Sequence, residues 1–260
     1  MTRMRVRMIV AAVATTALAG CTLLGTAAAW AEGETVTITE AGFSPDGLGV
    51  PTNAFGRAVI GSTSPTPSPI THVNVLGPAG VTLNLQGSGT CSVAKLEQAG
   101  PKVCPANSKA GTGGGEGVYE IGHEVIKEAF TFDVFLIDNQ PGHVQLAIYL
   151  DGSTPVSIEI VFTANVIQEP KPYGLGFSLN VPLIKVLPEA SDASAVSTYI
   201  TLGAKNLSYY KTVHGKRKLE HIKGIITPKT CPAGGWPVAT EFSFQDGQTV
   251  MAKHTIPCHK

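Results

Sequence analysis

The segment EVIKEAFTFDVFLIDNQPGHVQLAIYLDGSTPVSIEIVFT, from Glu124 to Thr163, decides the fold because apolar and polar side chains alternate along it. Successive side chains of a β-strand point to opposite faces of the sheet, so this period of two predicts strands buried on one face. We expect three strands in an antiparallel meander, with turns at Asn139 to Gly142 and at Asp151-Gly152. The apolar face would carry Ile126, Phe130, Phe132, Val134, Leu136, Val144, Leu146, Ile148, Leu150, Val156, Ile158, Ile160 and Phe162.

A meander with one apolar face needs a second layer to cover that face. Shorter alternating segments lie on both sides of it, and a final hairpin pairs Val238 to Phe244 with Thr249 to Ile256. The sequence therefore predicts an all-β protein, an antiparallel β-sandwich of Ig-like or jelly-roll-like type. We expect one large domain over residues 32–260, and the alternative is two packed sandwiches divided near residues 168–175.

Two segments depart from the strand pattern. Ser92 to Ala99 is predicted to be the one short helix, with Ser92 able to cap it and Gly100-Pro101 ending it. The run from Gly111 to Gly117 is interpreted as a flexible loop that leads into a strand.

The N-terminus, residues 1–31, is predicted to be an export signal peptide. Three arginines within the first seven residues precede an apolar run from Met8 to Ala31 that has no charged residue, which is the order found in such signals. Cleavage after Ala31 would release a soluble, secreted chain that starts at Glu32. The segment Leu18 to Cys21 resembles a lipobox, so a membrane-anchored lipoprotein acylated at Cys21 is the alternative. An uncleaved anchor is the third possible product.

The remaining cysteines support export. Cys91, Cys104, Cys231 and Cys258 are an even set, which suits two disulfides in an oxidising compartment. Three pairings are possible, and the sequential one, Cys91 with Cys104 and Cys231 with Cys258, needs the least rearrangement of the chain. The four cysteines include no Cys-x-x-Cys and have no histidine at ligand spacing, so we expect no metal.

Charge limits the range of partners. The chain has 19 Lys and Arg and 19 Asp and Glu, so no strong positive field is available for nucleic acid. One basic cluster stands out, in which Gly215 predicts a hairpin turn that points the charges into water; it contains Lys211, Lys216, Arg217, Lys218 and Lys223. Solvated surface is the first interpretation. Contact with an anionic ligand, either a cell-envelope polymer or a membrane surface, is the alternative.

Catalytic patterns are weak. Ser92 and Lys95 have the Ser-x-x-Lys spacing of penicillin-recognising enzymes, but the Lys-Thr-Gly strand that those enzymes need is missing. Asp133 and Asp138 differ by an odd number and should face opposite sides of a regular strand. The glycine run is followed by a strand pattern where a phosphate-binding loop needs a helix. We expect no catalytic residues and no cofactor.

The C-terminal region carries a resemblance. The segment from Thr227 to Pro237, which includes Cys-Pro-Ala-Gly-Gly-Trp, and the later Ile256-Pro257-Cys258 resemble the end of a group of uncharacterised exported β-rich proteins of high-GC Gram-positive bacteria. Cys91, Cys104-Pro105 and the segment from Ser108 to Gly113 are similar to the middle of the same group. The resemblance implies export and a β-rich fold, and it assigns no functional residue.

The function expected from these features is a noncatalytic secreted or cell-envelope module with a structural or interaction role. The alternative is an extracellular protein that binds a lipid or a glycan. A ligand-sized apolar cavity of roughly 300 Å³ or more would favour the binding protein. A secreted hydrolase with an unrecognised site is a further alternative.

Overall fold

The computed structural model describes residues 33–140, 142–154, 156–203 and 207–259. The described residues contain fifteen strands, one α-helix and two short 3-10 turns. The strands are β1 (Thr35–Ser44), β2 (Pro51–Gly61), β3 (Ile70–Pro78), β4 (Thr82–Asn84), β5 (Lys109–Ile121), β6 (Glu124–Gln140), β7 (His143–Thr154), β8 (Ile158–Gln168), β9 (Tyr173–Asn180), β10 (Ser194–Leu202), β11 (Ser208–Val213), β12 (Lys216–His221), β13 (Gly224–Ile226), β14 (Trp236–Phe244) and β15 (Thr249–Ile256). The helix is α1 (Val93–Ala99), and the 3-10 turns are Pro101–Val103 and Ala106–Ser108.

Thirteen of the strands form one antiparallel sheet. Its order is β15-β14-β3-β9-β8-β7-β6-β5-β10-β2-β13-β4, and β1 pairs with β2 beside this path. Strands β5 to β9 are neighbours in chain order, so the expected meander is present and is extended by one strand on each side. The strands on either side of residues 168–175 pair directly, with Ala164 opposite Leu179.

The long sheet folds over itself to form the two layers of an antiparallel β-sandwich. Ala58 and Ile60 of β2 share one apolar cluster with Phe242 and Phe244 of β14, although seven strands separate β2 from β14 in the sheet. Apolar faces from distant parts of the sheet therefore meet in the interior, as the alternation predicts. The all-β sandwich with one short helix and two disulfides is confirmed.

Both disulfides have the sequential pairing. Cys91 is bonded to Cys104, and Cys231 is bonded to Cys258. The second bond stands at the open end of the hairpin of β14 and β15, whose turn lies between Phe244 and Thr249 as predicted. Beside it, Trp236 is fully buried, donates its indole N–H to the carbonyl of Thr230 at 2.9 Å, and clusters with Cys258.

Helix α1 covers the outer face of the meander. Leu96 of the helix and Cys91 pack on Phe135, Ala147 and Tyr149, three outward-facing residues of β6 and β7. Burial, together with the hydrogen bond to Glu159, raises the pKa of the Tyr149 hydroxyl to about 12. The helix was predicted correctly. Ser92 occupies the N-cap position without a side-chain cap bond, and Gly100 ends the helix with a positive φ of 70°.

Two details of the sequence-based expectation were wrong, and the first is a turn of the meander. Asp151 and Gly152 lie inside the ladder, opposite Glu159 and Ile158, and β7 continues to Thr154. The Asp-Gly dipeptide is a turn former only where no cross-strand partner holds it extended, and here β6 and β8 flank it on both sides.

The glycine run is the second error. Gly111 to Gly117 belongs to strand β5, which pairs with β6 on one side and with β10 on the other. A run made mostly of glycine shows no alternation of apolar and polar side chains, so the sequence gives no strand signal there. Hydrogen bonds to the two neighbouring strands hold this run in the extended conformation.

Candidate functional site

The inward-facing side chains of the sandwich enclose an apolar cavity of about 420 Å³. Strands from both layers contribute to its wall, among them Ile38 of β1, Val73 of β3 and Ile148 of β7. This volume falls within the range of roughly 300 to 1,000 Å³ that is typical of small-molecule sites.

The cavity leaves apolar side chains without full packing. Phe130, Phe162, Phe177 and Ile200 point inward, yet each is only half-buried because its surface faces the cavity. Protein interiors normally pack as densely as organic crystals, so this much unfilled apolar wall is unusual. An apolar ligand would cover that surface, with a gain of about 25 cal/mol for each Å² removed from water.

Glycines in β5 make room for aromatic rings in the wall. Phe132 of β6 lies opposite Gly113, and Phe130 lies opposite Gly115. A Cβ on either glycine would overlap the facing ring or the carbonyl oxygens of β10. The two rings stack on each other at 6.5 Å with an interplanar angle of 22°, and both line the cavity. The glycine run therefore shapes the cavity wall.

The cavity is elongated. Its wall follows the inner face of β7 from Val144 to Gly152, a rise of about 26 Å at roughly 3.3 Å per residue. Leu85 and Leu202 contribute at the Val144 end, where they pack on the apolar cluster around Leu146. A long narrow space of this kind fits a chain-like ligand better than a compact one.

The Gly152 end of the cavity contains a buried carboxylate. Glu128 of β6 is 6% exposed, and its Oε2 accepts the N–H of Val156 at 3.4 Å. Burial, reinforced by the nearby charge of Glu128, raises the pKa of the Tyr119 hydroxyl. Ser194, also in the wall, donates its hydroxyl to the carbonyl of Pro67. The cavity is thus mainly apolar along its length and has an acidic side chain at this end.

Sequence reasoning missed both the cavity and its acid. Glu128 has the same parity as Ile126 and Phe130, so the alternation itself places it on the apolar face. An acid among inward-facing apolar residues was therefore a detectable signal. The cavity left no such signal, because alternation shows which side chains point inward and not how far apart the two layers stand.

The basic cluster forms a hairpin, as predicted. Among the described strands, β11 and β12 pair only with each other, and the turn between them has positive φ at His214 and Gly215, 49° and 75°. Lys211, Lys216, Arg217, Lys218 and Lys223 are all exposed. We call residues Ser208 to His221 the basic hairpin. None of the five cations lines the cavity.

The other residues singled out from the sequence are not brought to the cavity. Ser92 and Lys95 are exposed on α1. Cys21 and the predicted export signal, residues 1–31, lie outside the described residues. The four disulfide cysteines hold α1 and the last hairpin in place.

Asp133 and Asp138 are on the same face of β6, contrary to the expectation from their spacing. A bulge between Leu136 and Asp138 shifts the register by one residue and reverses the parity beyond it. Asp133 pairs with Lys109 at 2.8 Å and Asp138 with His143 at 2.9 Å.

The separation of these two acids argues against joint action. They stand opposite Tyr149 and Gln145 of β7, which are four residues apart and therefore separated by about 13 Å. A glycosidase pair of carboxylates lies within about 9.5 Å. The backbone N–H of Gln140, with the hydrogen bond to His143, lowers the pKa of Asp138, as expected for a surface acid held ionised.

Similarity to known proteins and the residue clusters in the described part of the chain add few constraints on the function. No protein-family model, no curated protein and no solved structure matches the chain. Within the described ranges, no three His, Cys, Asp or Glu residues gather closely enough to hold a metal ion. No helix in the described part of the chain has the length and apolar character needed to cross a membrane. The two disulfides indicate an oxidising, extracellular environment.

Proposed function

We propose that this protein is a noncatalytic, exported binding protein whose interior cavity holds the apolar chain of a lipid. The observation that carries this proposal is the elongated cavity of about 420 Å³, whose wall includes half-buried Phe130, Phe162 and Phe177. A dry apolar cavity binds apolar molecules because it offers them dispersion contacts without displacing hydrogen-bonded water.

The wall favours a lipid over a glycan. A sugar needs hydrogen-bond partners for each buried hydroxyl, and an unpaired buried hydroxyl costs about 1 to 3 kcal/mol. The cavity offers an acid at one end and a mainly apolar surface elsewhere, with Arg57, Thr198 and Thr240 as polar exceptions. An alkyl chain leaves no such groups unpaired.

Glu128 restricts which lipid end can lie beside it. Its buried carboxylate would repel a second carboxylate at close range, and burial of two like charges is costly. A neutral end that donates a hydrogen bond, such as a hydroxyl, is compatible. We therefore expect hexadecanol to be a better probe than palmitic acid for the Glu128 end.

Filling the cavity from Gly56 is expected to weaken hexadecanol binding by at least about tenfold. Gly56 lies in the wall, and the nearest atom to an added Cβ is the carbonyl oxygen of Glu40 at 3.8 Å, so a leucine side chain has room to enter the cavity. Each buried methylene of the ligand contributes about 0.8 kcal/mol, so displacing a few of them gives this loss. Binding is measured by native mass spectrometry and by displacement of the fluorescent probe anilinonaphthalene sulfonate.

The control for Gly56→Leu is Val59→Leu, on the outward face of the same strand, where Val59 is 41% exposed. Val59→Leu should bind hexadecanol like the wild type. Failure of the wild type to bind either hexadecanol or palmitic acid would end the cavity proposal and leave a structural or interaction role in the cell envelope. Unchanged binding by Gly56→Leu would place the ligand elsewhere.

Export is the second part of the proposal, supported by the two disulfides and by the apolar run before Glu32. We expect protein recovered from culture medium to begin at Glu32 when its N-terminus is sequenced, and Cys21→Ala to leave secretion unchanged. Lipoprotein processing predicts the opposite: partition into detergent, a diacylglyceryl mass on Cys21, and loss of membrane retention in Cys21→Ala.

A further inference from the structure

The basic hairpin is more exposed than any other stretch of comparable length in the described chain. Every residue from 210 to 219 is exposed, and β11 and β12 have no strand partner besides each other. Its base is fixed by Ile222, which is fully buried, and by the ring of Tyr209, which rests on Gly87. A two-stranded hairpin is marginally stable alone in water, so this arm projects at a cost in stability.

The charge on the hairpin is one-sided. The basic hairpin holds four of the 19 Lys and Arg but only one of the 19 acids, Glu220, which pairs with Lys218 at 3.2 Å, although the whole chain is neutral. Lys211 and Lys218 stand directly opposite each other across the two strands. Like charges in that position destabilise a sheet, so an anionic surface is the environment that this arrangement fits.

Apolar side chains are exposed beside Arg217 on one face of the hairpin, and Lys211, Lys216 and Lys218 lie on the opposite face. Tyr210 is 62% exposed and Leu219 is 50% exposed, and the two are cross-strand neighbours on one face. The guanidinium of Arg217 lies 4.3 Å from the centre of the Tyr210 ring. Cations alone are enough to bind a soluble polyanion, so binding of such a polymer would not explain why a leucine is exposed here. A bilayer interface accepts both, with apolar groups below the headgroups and cations beside the phosphates.

The two ends of the hairpin segment join the rest of the protein next to the cavity. Gly203 and Gly224, on either side of the segment that contains the hairpin, both line the cavity wall. Leu83 of β4, which pairs with Ile225 just beyond the hairpin, lines it as well. A surface held by the hairpin would therefore lie near the Leu85 end of the cavity, away from Glu128.

We propose that the basic hairpin is a docking arm for the surface of an anionic lipid bilayer. One edge of the hairpin would face the membrane, so that Tyr210, Leu219 and Arg217 reach the interface from one face and Lys211, Lys216 and Lys218 contact headgroup phosphates from the opposite face. The arm and the cavity are separate sites, so each is tested by its own readout.

The test uses the chain from Glu32 onward, which forms a compact unit of its own, so that the apolar N-terminal run does not contribute to binding. Flotation with vesicles of phosphatidylglycerol and phosphatidylcholine measures docking, and pure phosphatidylcholine vesicles serve as the neutral surface. One variant neutralises the arm: Lys211→Gln, Lys216→Gln, Arg217→Gln and Lys218→Gln. The matched control removes the same charge from exposed positions elsewhere: Lys95→Gln, Lys102→Gln, Lys171→Gln and Lys229→Gln.

We expect the wild type to bind anionic vesicles and to release them as salt is raised. The arm variant should lose at least about tenfold in affinity, since each cation near an anionic surface contributes severalfold, and the control variant should bind like the wild type. Tyr210→Ser combined with Leu219→Ser should also weaken binding. Hexadecanol binding should be unchanged in the arm variant, which separates failure of docking from failure of the cavity proposal.

Two results would overturn docking. Equal losses in the arm variant and the control variant would show a general charge effect. Vesicle binding that survives Tyr210→Ser and Leu219→Ser but is abolished by a soluble polyanion such as polyphosphate would assign the arm to an anionic polymer.

Discussion

Gly115→Ala is expected to destabilise the protein by about 3 kcal/mol, at the upper end of what overpacking usually costs. The added Cβ would overlap the carbonyl oxygen of Ser197 in β10 and would lie 2.8 Å from the edge of the Phe130 ring. The backbone of β10 cannot move away without breaking its ladder with β5. The free energy of unfolding, measured in urea, should fall by that amount.

Gly56→Ala is the matched control for this prediction. Gly56 is also an inward-facing glycine in a paired strand, but a Cβ there has no neighbour closer than 3.8 Å. Alanine restricts the unfolded chain more than glycine does, so this change should be neutral or stabilising by up to about 1 kcal/mol. Similar losses at both positions would show that the glycine run in β5 is not in steric contact with its neighbours.

Removal of the Cys231–Cys258 bond is expected to cost about 3 kcal/mol. The bond closes a loop of 27 residues, and on the chain-entropy model its loss frees the unfolded chain by that amount. Both cysteines should be changed to serine, since a single change leaves a reactive thiol. The loss should appear in urea unfolding and, locally, as faster amide exchange in β15, which pairs only with β14.

The other disulfide is the natural comparison. Cys91→Ser with Cys104→Ser opens a loop of 13 residues and should cost a similar free energy, because loop entropy varies only slowly with length. Its local effect should differ, with faster exchange in α1 and the adjoining turns and with β15 unaffected. Uniform exchange changes in both double variants would contradict the assignment of each bond to its own element.

Sequence reasoning succeeded where a strong local pattern and the tertiary structure agree. The alternation in β6, β7 and β8, the Asp246-Gly247 turn and the sequential disulfides were all predictable, because each depends on residues close in the chain. Sequence reasoning failed where neighbouring strands override local preference. Gly111 to Gly117 becomes a strand because β6 and β10 pair with it on both sides.

The position of the candidate site was less predictable than the fold. The bulge before Asp138 changes the face of the sheet on which the following residues lie, whereas the sequence suggests unbroken alternation. No residue type in the sequence marks the position of the bulge. The volume of the cavity depends on the distance between layers, which glycines such as Gly113 and Gly115 help to set through the rings they accommodate. The basic hairpin, by contrast, was visible as a charge run around Gly215.

The ends of the long sheet bear on how this protein resists self-association. A free strand edge is a template for a second copy of the chain, and aggregation starts from such edges. Here one end of the sheet is β4, of only three residues, and the other is β15, which carries Lys253 and packs against β1. The Cys231–Cys258 bond also holds β15 to its partner strand. Cytosolic chaperones are absent from the oxidising, extracellular environment that the disulfides indicate, and there these short, charged or covalently fastened edges would keep the large sheet from recruiting further copies.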